Sequence, residues 1–393
     1  MEAFSVDYLF YKDNFFASRF FRAGAIRSRI GKIEQQGFFK VLRPGRSVEG
    51  RDIVCLSAGS GVIPVLLWSQ MHGNESTATL ALFDLFRFFM EKEADAGLRN
   101  LILEKCTLYF VPVLNPDGAD AWTRRNAQGI DINRDLVALQ SPEVRVLFDL
   151  LQEIKPAFGF NLHDQESLWS VGGTKLPAVI SLLAPPADAE LSITPARFRA
   201  IQVISSVNKK LQEVIPGQVG RWKDEYEPRA AGEVFQQAGV ATILVESGGY
   251  AGEEAKLQAR KLNFFTLLHA FVQIASGDYR LEDAQSYNNI PFNSREIFHI
   301  LIKNCRIETP AGWIKADIGL NYSEEQTGQT GIKVYTIADF GDLSVFNAYL
   351  VIEADELTIY TPLVLESRAN LKVTDKTGEV IEFEEGICLA DLV

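Results

Sequence analysis

Up to about residue 278 the chain alternates short apolar runs with amphipathic stretches, and nothing constrains its fold more than this alternation. The runs Ile53–Ser57, Val62–Gln70, Thr107–Leu114, Ala157–Leu162 and Ala241–Val245 have the length and residue types of buried strands. Between them Ser76–Lys92, Ser141–Glu153, Pro195–Val214 and Gly252–Ala275 read as helices. Strands that alternate with helices pack as helices on both faces of one sheet. The expected fold is therefore α/β, a doubly wound mixed sheet, largely parallel and flanked by helices. After Ser276-Gly277-Asp278 the pattern changes, and Gln285–Asn293 reads as an exposed linker. Beyond it come the short β-branched and aromatic runs Phe298–Ile302, Gly312–Ile318, Lys333–Ile337, Tyr349–Ile352, Glu356–Pro362, Asn370–Val373 and Glu379–Phe383. The expected organisation is one domain over 1–280 and a small C-terminal all-β domain over 285–393.

The 393 residues are 47% hydrophobic and 23% charged, which excludes a mainly disordered, collagenous or coiled-coil chain. A net charge of −12 argues against nucleic acid or an anionic membrane surface as a partner. That charge is not shared evenly: residues 281–393 hold 8 Lys and Arg against 19 Asp and Glu, so the larger domain is close to neutral. The 4 cysteines are too sparse for a disulfide framework, and Cys55 and Cys106 read as buried free thiols. Acidic residues stand at the start where a signal peptide has basic ones, and no apolar run is long enough to span a bilayer. A cytoplasmic protein without a membrane partner is expected, and a homo-oligomer is left open.

Four candidate strands end in reactive residues. Val62–Gln70 runs into Met71-His72-Gly73-Asn74-Glu75, and Thr107–Leu114 into Asn115-Pro116-Asp117-Gly118. Ala157–Leu162 ends at His163-Asp164-Gln165, and Ala241–Val245 at Glu246-Ser247-Gly248-Gly249. Ligands of open α/β sheets bind beyond the carboxyl ends of the strands, so His72, Glu75, His163 and Glu246 converge on one crevice. Two histidines and one carboxylate with an open fourth position make a catalytic zinc set. One zinc ion per chain would polarise a carbonyl and activate water, and Glu246 would pass that water's proton to a leaving amine.

In these residues the chain resembles the zinc metallocarboxypeptidases of the carboxypeptidase A type, in particular bacterial cytosolic peptidase-like members. The matching pieces run in order: Gly45–Arg51, the His72/Glu75 pair, Asn115-Pro116-Asp117-Gly118, Asp131-Ile132-Asn133-Arg134, His163 and Glu246. The resemblance implies that His72, Glu75 and His163 hold the metal and that Glu246 is the general base. It implies that Arg124, seven residues before Asp131, stabilises the oxyanion, with the adjacent Arg125 as the alternative. Asn133 and Arg134 would clamp the substrate's terminal carboxylate, Asp131 would orient a ligand histidine, and Tyr226 would be the lid tyrosine. Asn74 departs from the arginine of the pancreatic-type enzymes. His72-Gly73-Asn74-Glu75 is also the form of the aspartoacylase- and succinylglutamate-desuccinylase-like deacylases.

The implied substrate is a peptide, or an acyl amino acid, with a free carboxylate. The rival readings are a zinc deacylase or amidase acting on N-acyl amino acids or cell-wall peptides, and a catalytically silent zinc-binding module. His269 and His299 read as structural histidines, and Phe15, Phe16, Phe20 and Phe21 as helically spaced core or domain-contact aromatics. For the acidic domain two readings stand: a solvated surface, or a gate that also repels acidic substrates.

Overall fold

The structure is a computed structural model that describes residues 3–16, 18–252, 256–309, 311–327 and 330–390. The strands of the larger sheet are β1 (Lys40–Arg46), β2 (Asp52–Ala58), β3 (Ile63–Ser69), β4 (Cys106–Val111) and β5 (Phe158–Asp164). After a two-residue strand outside it, β6 (Ser170–Val171), come β7 (Ile180–Leu183), β8 (Val219–Arg221) and β9 (Ala241–Ser247). Their order across the sheet is β1-β2-β4-β3-β5-β9-β7-β8. The central strands β4, β3, β5 and β9 are all parallel, whereas β1, β2 and β7 join antiparallel to their inner neighbours.

The sequence of β3 shows why both faces are covered. Alternate residues of a strand point to opposite faces. Val65 and Leu67 pack with Phe83, Phe86 and Phe271 of the helices Thr77–Met90 and Leu257–Ser276. Leu66 and Trp68 pack with Leu147 of Pro142–Ile154 and Phe235 of Ala231–Gln237. A strand buried on both sides is apolar at every position, which is why it reads as a continuous run. The expected α/β sheet is present, and Pro195–Val214 has the predicted bounds. The last helix begins at Leu257, later than Gly252, and 253–255 lie outside the described residues.

The second sheet contains β11 (Ile297–Thr309), β12 (Gly312–Thr327), β13 (Thr330–Gly341), β14 (Asn347–Ile359), β15 (Leu371–Asp375), β16 (Val380–Glu384) and β17 (Ile387–Cys388). They follow β10 (Asn293–Ser294), which pairs with β6 of the larger domain. The order is β13-β12-β11-β14-β15-β16-β17, and Tyr335 N–H donates to Gly386 O at 2.7 Å, curling the sheet towards closure. The runs Tyr349–Ile352 and Glu356–Pro362 belong largely to one strand. β14 pairs parallel with β11 in its first half and antiparallel with β15 in its second, with a register shift between Ala354 and Glu356.

Two local expectations are corrected. Residues 285–293 are not an exposed linker: a short helix covers Ala284–Asn288, and Tyr287, Ile290 and Asn293 are buried. Asn293 Nδ2 donates to Gln165 Oε1 at 3.0 Å and to Ser181 Oγ at 2.8 Å, so polar residues that look solvated are used up internally. Phe15, Phe16, Phe20 and Phe21 lie in turns and extended chain, outside any helix. Their packing role holds: Phe16 and Phe21 are in the core, and Phe20 lies against Gly331 of the second sheet.

Helix Thr77–Met90 is tied to helix Leu257–Ser276 by a buried ion pair. Arg260 Nε donates to Asp84 Oδ2 at 2.8 Å, and Tyr8 OH (3.0 Å) and Asp13 N–H (2.6 Å) add their bonds to the same carboxylate. Removing one member strands a charge in apolar surroundings. Arg260→Met should therefore cost about 3–5 kcal/mol in denaturant unfolding. Adding Asp84→Leu to that variant should recover part of the loss, and equal loss in the single and double variants would contradict the account.

Candidate active site

β3 ends at Ser69 and hands the chain to Gln70, whose φ of 49° turns it out of the sheet. The loop that follows carries His72 and Glu75. It can lie where it does only because of two glycines: a Cβ on Gly73 would come within 1.9 Å of the Gly118 carbonyl carbon. Asn115 locks that contact, accepting from Gly118 N–H at 2.9 Å and donating to Met71 O at 3.2 Å. Asp117 accepts from Ser47 Oγ at 2.7 Å and Glu49 N–H at 2.9 Å and pairs with Arg51. Asn115-Pro116-Asp117-Gly118 is thus a brace between the loop of His72 and the β1–β2 hairpin.

Sheet register delivers the rest. β5 and β9 are parallel neighbours with His163 opposite Glu246, so both emerge from the same end of the sheet. His72 Nδ1 lies 2.7 Å from Glu75 Oε1, His163 Nδ1 lies 2.8 Å from Glu75 Oε2, and the two imidazole nitrogens are 3.1 Å apart. All three residues are buried, and among the described residues they form the one group that could hold a metal ion. The donor chemistry fits zinc: two imidazoles and a carboxylate converge, and His72 offers its other nitrogen to Asp131 Oδ1 at 3.2 Å. Asp131 also accepts from Asn133 N–H at 3.0 Å, which fixes its direction.

Burial and charge compete at each of these groups. Burial disfavours charge on His72, but the Glu75 and Asp131 carboxylates outweigh it and raise the pKa. Burial wins at His163, whose pKa falls. Burial would raise the Glu75 carboxyl, but the two histidines hold it well below its ordinary value. Glu246 goes the other way: burial, then the neighbouring Glu75 and Asp164 charges, push it well above. Its Oε2 is buried without a hydrogen-bond partner among the described residues.

The cations are placed around this centre. Arg124 is half exposed, with Nη1 at 3.5 Å from Glu75 Oε1 and Nε donating to Asp131 Oδ2 at 3.0 Å. Arg125 turns away and donates to Gly129 O at 2.9 Å. Arg134 lies at the cleft with Nε 3.4 Å from Glu227, and Asn133 Oδ1 accepts from Ala231 N–H at 2.9 Å. Tyr226 lines the same cleft, its hydroxyl accepting from Gln237 Nε2 at 2.6 Å. His269 and His299 are outside the metal group, the first bonded to Ser206 Oγ at 3.0 Å and the second to Ser167 Oγ at 2.7 Å.

Several cleft residues were missed by sequence reasoning. Lys256 Nζ donates to Gln165 O at 2.9 Å and Ser247 O at 3.0 Å, so it clamps the ends of the strands that carry His163 and Glu246. Asp164 accepts from Thr77 Oγ1 at 2.5 Å and faces Arg19. Glu233 is buried in the cleft lining, and desolvation pushes its carboxyl up to about 7. Asp164 carried a signal, adjacency to His163, but Lys256, Arg19 and Glu233 come from segments with no motif.

No described helix is long and apolar enough to cross a membrane. Residues 31–139 match the sequence model of the zinc carboxypeptidase family. A carboxypeptidase of Arabidopsis thaliana, SOL1, is 28% identical over 104 residues, 24% of this chain and 21% of that protein. A metallocarboxypeptidase A-like protein of Trichophyton verrucosum is 31% identical over 115 residues, 24% of this chain and 26% of that protein. The chain thus spans only about a fifth to a third of the curated relatives it matches. Among solved structures, a metallo-carboxypeptidase from Burkholderia cenocepacia superposes with a TM-score of 0.54 at 18% identity, covering 67% of this chain and 71% of that one. One from Pseudomonas aeruginosa, in complex with (2-guanidinoethylmercapto)succinic acid, gives 0.52 at 19%, covering 66% and 70%. These likenesses concern the fold. The family match itself is confined to residues 31–139, within the α/β part of the chain.

Proposed function

We propose that the chain is a zinc-dependent carboxypeptidase that removes the C-terminal amino acid from peptides with a free carboxylate. The observation that carries the reading is Glu246, a half-buried glutamate whose buried Oε2 has no hydrogen-bond partner among the described residues, in register with His163 and beside the His72–Glu75–His163 set. Zinc bound by that set would supply Lewis acidity at the scissile carbonyl and activate the attacking water.

The remaining work falls to the chain's own residues. Arg134 offers a planar fork to the substrate's terminal carboxylate, with Asn133 beside it, and the substrate would displace Glu227 from that arginine. Arg124 holds positive charge beside Glu75, where negative charge develops on the carbonyl oxygen. Glu246 takes the proton of water as the oxygen bonds to carbon, then delivers it to the amine as the carbon–nitrogen bond breaks. A carboxyl with a raised pKa is suited to both halves of that transfer. Deacylation of N-acyl amino acids or cleavage of cell-wall peptides would use the same residues. That second reading rests on Asn74, which gives His72-Gly73-Asn74-Glu75 the form of the deacylases.

Glu246→Gln should lower kcat by about 10²–10⁴-fold while metal analysis still finds about one zinc per chain. Normal turnover in that variant would remove Glu246 from the mechanism. Arg134→Lys exchanges a fork for a point charge and should lower kcat/KM on free peptides about 10- to 100-fold. C-terminally amidated peptides should be poor substrates of both forms, and assaying them beside N-acyl amino acids separates the two readings. Glu233 ionises as pH rises through about 7. The kcat/KM ratio of a peptide ending in lysine to one ending in leucine should therefore rise across that pH, and Glu233→Gln should flatten the profile.

A further inference from the structure

The cleft is not enclosed by the α/β domain alone. A single cavity of about 1140 Å³ is lined by His72, His163, Glu246 and Arg134 and also by Tyr322, Glu324 and Lys333 of β12 and β13.

The two oxygens of Glu75 are linked to different parts of the cleft. Glu75 Oε1 faces His72 and Arg124, the flank that continues through Asp131 to Asn133 and Arg134. Glu75 Oε2 faces His163 and accepts from Asp164 N–H at 3.1 Å. From Asp164 the chain of charges passes to Arg19 at 3.7 Å and on to Glu324 at 2.5 Å. The carboxylate clamp is thus linked to the metal group through Glu75 Oε1 and the β domain through Glu75 Oε2, and both line the one cavity.

The β domain is also fastened at that flank. Tyr322 N–H donates to His299 Nδ1 at 3.0 Å, and burial pushes the His299 pKa down to about 3, so the neutral ring carries its proton on Nε2. That proton goes to Ser167 Oγ at 2.7 Å, while Tyr349 OH donates to Ser167 O at 2.6 Å. Asn293 holds Gln165 from the same side. The bonds that leave the β sheet and Asn293 land on Ser167 and Gln165, just after His163.

We propose that the C-terminal β domain is a fixed wall of the substrate cleft, with Tyr322 at its face, which limits the acyl side of the substrate to a few residues. The inference rests on the carboxypeptidase reading and narrows it to short peptides and N-acyl amino acids. A substrate anchored by its carboxylate at Arg134 and crossing the metal group meets Tyr322 and the Arg19–Glu324 pair, not open solvent.

The test is calorimetric binding of peptides of two to six residues with one common C-terminal dipeptide to the full zinc-loaded chain, with turnover measured in parallel. Affinity should fall at least tenfold between the shortest and longest members. Tyr322→Ala should reduce that penalty at least threefold, and Lys333→Ala, on the neighbouring strand, provides a second opening should the first variant fail to fold. Equal affinity at every length, or an unchanged penalty in both variants, overturns the wall. Length-independent binding with normal turnover overturns the wall alone. Length-limited binding without turnover supports the wall and overturns the carboxypeptidase reading, and no binding at all overturns both.

Discussion

The pairing of β5 between β3 and β9 is the constraint on which the site depends. A parallel register with His163 opposite Glu246 sets two side chains from segments 83 residues apart on the same edge of the sheet. The neighbouring strand β3 then turns at Gln70 and brings His72 and Glu75 over that edge. Slipping the β5–β9 register by one residue would turn one of the two residues to the opposite face. Lys256 resists such a slip by bridging the carbonyls of Gln165, two beyond His163, and Ser247, one beyond Glu246. The metal group is thus built by backbone pairing first and by side-chain chemistry second.

On that scaffold the same force acts on every ionisable group, and their neighbours decide the outcome. His72, Glu75, His163 and Glu246 are all desolvated, which disfavours charge at each. Glu75 has two histidines against it and stays ionised, a carboxylate ready to bind a cation. Glu246 has Glu75 and Asp164 as its nearest charges and is driven towards the protonated form, with Lys256 and Arg124 opposing weakly. Two glutamates in one cleft are thereby driven in opposite directions, the environment such carboxylates need to take different roles at one pH.

The strands and the metal group were legible in the sequence because both leave local signatures. A strand buried on both faces is a continuous apolar run, and His72, Glu75 and His163 fall where two such runs stop. Asn115-Pro116-Asp117-Gly118 was legible as a motif but its purpose was not, since the contact of Gly118 with Gly73 exists only once two loops are stacked. Arg19, Lys256 and Glu233 left no signal because each acts through a partner remote in sequence. The segment 285–293 misled for the same reason: its asparagines look hydrated, yet Asn293 spends its donors on Gln165 and Ser181.

The acidity of the C-terminal domain can be weighed against the same geometry. Of the net −11 carried by residues 281–393, the described cleft lining receives little, because there Glu324 is balanced by Lys333 and is itself paired with Arg19. Repulsion of acidic substrates would need unbalanced carboxylates at the cleft, and charges elsewhere on the domain act through water and salt, which screen them beyond about 10 Å. The acidity therefore belongs to the solvated surface. What the domain brings to the cleft is shape: Tyr322, Tyr335 and Tyr349 on strands fastened to residues 164–167. Loosening those fastenings would disturb the chain next to His163 as well as the cleft lining, so the β sheet and the geometry of the His72–Glu75–His163 group are mechanically linked.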